Sequence, residues 1–69
     1  MRVPSERSPA EVLTAQEQIV ATLACRGLTN KEMAHQLVLS VKTVGYHLTN
    51  VYTKLDVHSR TQLVAKLTP

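Results

Sequence analysis

Four helix starts are written into this chain, and their spacing limits it to short helices. Thr14-Ala15-Gln16-Glu17, Thr29-Asn30-Lys31-Glu32 and Ser59-Arg60-Thr61-Gln62 each place Ser or Thr three residues ahead of Glu or Gln. In such a capping box the hydroxyl accepts from the amide three residues on. The side chain at that later position reaches back to the first amide. Ser40 supplies one further N-cap. Each cap opens a run whose apolar residues recur at helical spacing, and the two signals together predict helices over about 15–26, 30–37, 40–55 and 60–67. Leu13, just ahead of the first cap, is placed to staple against the next turn. Gly27 and Asp56 follow helix ends as residues that tolerate a left-handed backbone.

No run of β-branched residues alternates long enough for a strand, and the chain has no Phe or Trp with which to fill a barrel or sandwich. The expected fold class is therefore all-α, a four-helix bundle. Inward stripes are expected from Ile19, Val20, Leu23 and Ala24 in the first helix and from Met33, Ala34 and Leu37 in the second. The small Ala34 lets the third helix cross closely over the second. The helices over 30–37 and 40–55 are joined by about three residues, with the longer one second, which is a helix-turn-helix at the centre of the bundle. Residues 1–12, with Pro4, Pro9 and no apolar period, read as a disordered leader or linker, and residues 13–69 as the folded domain.

The third helix carries the most information about function. Val44, Leu48, Val51 and Leu55 form its apolar stripe. Its flanks hold Lys42, Thr43, Tyr46, Thr49, Asn50, Thr53 and Lys54, with no acid among them. The formal net charge of +3 lies entirely outside the leader, where Arg2 and Arg7 cancel Glu6 and Glu11. A basic domain with an acid-free helix face suits a polyanion, and a helix of this length suits the major groove of DNA.

Other classes are poorly served. There are no paired carboxylates, no nucleophile set beside a base and no phosphate-cradling glycine loop, so an enzyme is not expected. His35, His47 and His58 lack metal-ligand spacing, and neither a metal nor a cofactor is expected. The single cysteine, Cys25, fits a small core residue and a reducing cytoplasm. No apolar run approaches the roughly 20 residues of a membrane span.

The segments G-L-T-N-K-E-M-A (27–34), S-x-K-T-V (40–44), His47, Val51, Lys54-Leu55 and Ser59-Arg60 together resemble the LuxR-type (GerE-like) DNA-binding domain of bacterial transcription factors. The resemblance runs from Leu13 to about Leu67. The run T-V-G-Y-H-L (43–48) is similar to the subgroup found at the end of very large ATP-binding LuxR regulators. It implies a four-helix domain that is usually the C-terminal output of a larger regulator, bound to double-stranded DNA. Base-reading positions then fall at Lys42, Gly45, Tyr46 and Thr49. Phosphate contacts fall at Thr29, Asn30, Lys31, Thr43, Lys54 and Arg60. Many members carry a cation at the position of Gly45 and often another at that of Thr49, and this chain has neither. The family often pairs its fourth helix across a two-fold axis, so Leu63, Val64 and Leu67 either serve a homodimer on DNA or simply pack inward.

Several of these residues admit a plainer role. Lys42 sits in a first helical turn, where the dipole does not favour a cation, so an anionic partner explains it better than the helix does. Tyr46 either meets a phosphate or a thymine methyl, or packs as a rim tyrosine on the second helix. Helical geometry puts Thr49 nearer the groove than Asn50, which leaves Asn50 for structure or backbone. His47, close to the apolar stripe, suits a half-buried histidine bonded to a backbone carbonyl better than one in direct contact with DNA. Lys54 and Arg60 either clamp the DNA backbone or are simply solvated. A rival function is a protein-interaction module that docks RNA polymerase or a sensor domain through the fourth helix. A sigma-factor type of helix-turn-helix is disfavoured by the Ser59-Arg60 opening of that helix.

Overall fold

The computed structural model describes residues 12–67. Among them are four α-helices and no strand: α1 (Ala15–Cys25), α2 (Asn30–Leu37), α3 (Val41–Leu55) and α4 (Arg60–Leu67). The leader expected over residues 1–12 lies outside the described residues except for Val12, which packs against the core. Thr68 and Pro69 also lie outside them.

The caps form as the local sequence dictates. Thr14 Oγ1 accepts from the Glu17 amide at 3.2 Å, and Glu17 Oε1 accepts from the Thr14 amide at 2.9 Å. Thr29 and Glu32 repeat the exchange at 3.1 and 2.8 Å. Ser40 Oγ caps α3 through the Thr43 amide at 3.0 Å. The box expected at Ser59 forms only by half. Ser59 Oγ accepts from the Gln62 amide at 3.1 Å, but Gln62 Oε1 takes the amide of His58, at 2.6 Å, in place of that of Ser59. The turn out of α3 brings the His58 N–H over the first turn of α4, and the Gln62 carbonyl satisfies it.

Three helices end alike. Gly27, Val38 and Asp56 all have positive φ. In each case the next amide bonds back five residues: Leu28 to Leu23, Leu39 to Ala34 and Val57 to Tyr52. This is the Schellman closure, with an apolar residue following the left-handed one. Gly27, at φ 92°, accepts the conformation without a Cβ penalty. Val38, at φ 57° and 89% exposed, is the costly exception. A β-branched residue in this region carries strain of about 1–2 kcal/mol. The reversal from α2 into α3 forces it, because Leu37 and Leu39 on either side both pack against the core.

α3 lies against both α1 and α2, and α1 also packs on α2 and α4. Val20, Met33, Val44, Val51 and Leu63, one or more from every helix, are completely buried at the centre. Ala34 is buried beneath α3 as its small size suggests. One expectation about the core is corrected, and one open alternative is decided. Ile19, expected to face inward, is 44% exposed. The buried face of α1 follows Glu17, Val20, Ala21 and Ala24, and a residue two places after Glu17 points nearly opposite to it. Leu63, offered either for a dimer surface or for inward packing, takes the second place and is fully buried. It completes the core from α4 and has no surface to offer a partner.

Candidate nucleic-acid interface

α3 is laid out in strips. Val44, Leu48, Val51 and Leu55 face the core. On the opposite side Lys42, Tyr46, Thr49 and Thr53 are all exposed, at the same three-and-four spacing. That outer strip runs about 16 Å at 1.5 Å per residue, and a helix about 10–12 Å across matches the width of the major groove. Thr43, His47 and Asn50 line one flank, each half-buried, and Gly45 lies on the other. Thr53 belongs to the outer strip as fully as Thr49 does. The spacing Lys42, Tyr46, Thr49, Thr53 was the signal for it.

On the strip and its flank the hydrogen-bonding groups are partly committed. Thr49 Oγ1 donates to the Gly45 carbonyl at 3.0 Å. Ser40 Oγ donates to Thr43 Oγ1 at 2.8 Å, which leaves the Thr43 hydroxyl proton free for an outside acceptor. Tyr46 is 65% exposed and does not pack as a rim residue on α2. Its ring meets that of its own neighbour His47 edge-on, with centroids 5.8 Å apart at 61°. This contact replaces the carbonyl bond expected of His47, whose ring has no hydrogen bond among the described residues.

At the start of α2, Thr29 and Asn30 frame a turn whose first amides, those of Asn30 and Lys31, have no partner within the helix. Lys31 is exposed beside them. Arg60 organises this corner from α4. Its Nη1 donates to the Leu28 carbonyl and its Nη2 to Asn30 Oδ1, the latter at 2.9 Å. With the Asn30 oxygen facing Arg60, the Asn30 NH₂ is the group left to meet a ligand. Arg60 is thus half-buried, and it holds the α1–α2 connection to the start of α4.

Lys54 is similarly engaged. Its Nζ donates to Glu17 Oε1 at 2.7 Å, joining the end of α3 to the start of α1. Glu17 is only 4% exposed. The Lys54 hydrogen bond, with that from the Thr14 amide, holds the Glu17 carboxyl below its ordinary value and outweighs the opposing effect of burial. Sequence reasoning gave Glu17 only its capping role. The missed signal was that Glu17 lies on the same face as Val20, Ala21 and Ala24, where a carboxylate requires a partner. Cys25 is half-buried near the end of α1, and burial pushes its thiol pKa up, away from thiolate chemistry. Among the described residues no group of His, Cys, Asp and Glu is arranged to hold a metal ion, and no helix is long and apolar enough to cross a membrane.

The sequence over residues 11–67 matches the family described as bacterial regulatory proteins, luxR family (GerE). The chain belongs to the luxR family. Among curated relatives, the transcriptional regulatory protein LiaR of Bacillus subtilis is 46% identical over 54 residues, which are 78% of this chain and 26% of LiaR. The oxygen regulatory protein NreC of Staphylococcus haemolyticus is 40% identical over 60 residues, 87% of this chain and 28% of NreC. An HTH-type transcriptional regulator of Mycobacterium tuberculosis is 50% identical over 52 residues, 75% of this chain and 6% of the relative. The chain thus spans between 6% and 28% of these relatives. As a luxR-family helix-turn-helix domain it serves DNA-binding transcription regulation, and that family is not an enzymatic one.

Proposed function

We propose that this luxR-family domain seats α3 in the major groove of double-stranded DNA and reads a specific sequence there. The observation that carries the reading is the exposed, acid-free strip Lys42, Tyr46, Thr49, Thr53, set opposite a fully buried stripe on the same helix. Lys42, Gly45, Tyr46 and Thr49 are the groups at base edges. Thr29, Asn30, Lys31 and Thr43 hold phosphates: the first three surround the free amides of α2, and the last has a free hydroxyl proton. Asn50, on the half-buried flank, reaches the backbone at the rim of the groove. Lys54 keeps two ammonium hydrogens beyond the one given to Glu17, and these serve a phosphate from the end of α3. Arg60 acts chiefly by setting Asn30.

Residues 13–69 act as the output domain of a longer cytoplasmic regulator, in line with the lengths of the relatives. Pairing of two copies on DNA uses the half-buried Val64 and Leu67 of α4, without Leu63. Docking of RNA polymerase or a sensor domain through the same helix is the competing use of that surface.

The test is selection from a random duplex pool, followed by binding isotherms against salt. Affinity for the selected site should fall with a log–log slope of about −0.9 per phosphate contacted. Lys31→Ala should weaken binding to selected and unrelated duplexes alike, whereas Thr49→Ala should relax preference at one position. A chain that ignores every duplex in dilute buffer, or whose only DNA-induced NMR shifts fall on α4, overturns the reading.

A further inference from the structure

Resting on the placement of α3 in the groove, we propose that the middle of this helix selects thymine, by contact with its C5-methyl group and not by donating to base edges. Three features of the outer face and its flank lead there.

The first is Gly45. Its backbone is ordinary helix, and a Cβ built on it meets nothing within 4 Å. The fold therefore gives no reason for a glycine at a position where alanine would favour the helix. What the glycine does provide is a stretch of backbone without a side chain on the flank of the outer strip, open to an approaching ligand.

The second is Thr49. Its hydroxyl proton is spent on the Gly45 carbonyl at 3.0 Å, one turn back. With that proton spent, the exposed side chain has a methyl group and oxygen lone pairs, but no donor, for a ligand. The third is Tyr46, 65% exposed and edge-on to His47, so that an aromatic ring stands out from the strip.

Guanine is most often read by a cation that donates to O6 and N7, and adenine by an amide that both donates and accepts. The central turns of the outer face hold neither. Lys42 is confined to the first turn of α3, and Asn50 lies on the half-buried flank. An aromatic ring, a methyl group and bare backbone complement the one apolar feature of the major groove, the thymine methyl. The DNA class that fits is a duplex with thymine under Tyr46 and Thr49, and any guanine preference confined to the end where Lys42 lies.

The experiment uses the duplex recovered from a random pool by the 69-residue chain. Each thymine is replaced singly by deoxyuridine, which keeps its base pairing and loses only the methyl group. At one or two positions affinity should fall about four-fold, the value of one buried methyl group. Tyr46→Ala and Thr49→Ser, both at exposed positions, should each erase the thymine–uracil difference at one of them. Gly45→Lys should move the preference at the neighbouring position toward guanine. If the site is bound specifically but every thymine tolerates deoxyuridine, or if the central positions recovered are guanines, the inference fails and the groove placement stands. If no duplex is bound even at low salt, the groove placement fails, and the inference with it.

Discussion

Replacing Lys54 by methionine separates its two candidate roles, a strut for α1 and a contact for DNA. The ammonium donates to Glu17 Oε1 at 2.7 Å, and without it Glu17 keeps only the Thr14 amide at 2.9 Å. Breaking a wholly buried pair costs about 3–5 kcal/mol, because a desolvated charge is left unpaired. Here the carboxylate side chain is 6% exposed but the lysine side chain is 38% exposed. Water screens the pair and reaches the vacated place, which lowers the expected loss to about 1–2 kcal/mol. In a domain of this size each kcal/mol shifts Tm by about 4–8 °C, so Lys54→Met should melt about 4–16 °C lower.

Glu17→Gln keeps a carbonyl oxygen for the Thr14 amide and removes the charge. The double variant should therefore be less destabilised than the sum of the two single ones, by about 1 kcal/mol. Thermal and urea unfolding followed by circular dichroism would measure all three. An unchanged Tm in Lys54→Met, or strict additivity in the double variant, would refute the strut. Binding isotherms taken well below the lowest Tm then isolate whatever Lys54 gives to DNA.

The same pair makes a pH prediction. The Glu17 carboxyl is held below its usual 4.5 in the folded state, so its contribution is complete above that value and is lost as pH falls through the folded pKa. Acid unfolding of Lys54→Met, compared with the parent chain, should show a shallower loss over that window. Val38→Asn should raise Tm by about 4–8 °C, since it relieves roughly 1 kcal/mol of left-handed strain at a side chain that is 89% exposed. Val38→Gly should gain less, because glycine also loosens the unfolded chain; a lower Tm in both variants would count against strain at this turn. Leu63→Ala should cost about 2–5 kcal/mol by opening a cavity, while Val64→Ala costs much less, and equal melting points would remove Leu63 from the core. Arg60→Lys, which cannot fork to both Leu28 and Asn30, should weaken DNA binding with little change in sequence preference, as competition between specific and random duplexes would show.

Much of the helical architecture was legible because its determinants are local. Thr14 with Glu17, Thr29 with Glu32, and Ser40 with Thr43 find their partners three residues away, so the residues that announce a helix also satisfy its first amides. The buried stripe of α3 and the left-handed closures at Gly27 and Asp56 were legible for the same reason. The second arm of the Ser59 box was not. Its outcome depended on how the chain leaves α3, which no property of four successive residues specifies.

The composition of the groove face was also open to reading, since Lys42, Tyr46 and Thr49 fall into line by period alone. Which of their atoms remain free was not. The Thr49 proton is lost to Gly45, a contact that a helical sequence permits but does not require.

What the sequence determined by itself, then, is where each helix begins and which side of α3 turns inward, because hydrogen bonds of short reach and the helical period settle both. Tertiary structure decided that Ile19 faces out, that Leu63 fills the core and that Val38 is strained. It also decided that Lys54 answers Glu17, 37 positions away along the chain, and that Arg60 sets Asn30, 30 positions away. The physical reason is common to all of them. A buried charge or an apolar side chain finds its partner according to how whole helices pack, and that packing is fixed only when all four compete for one small core.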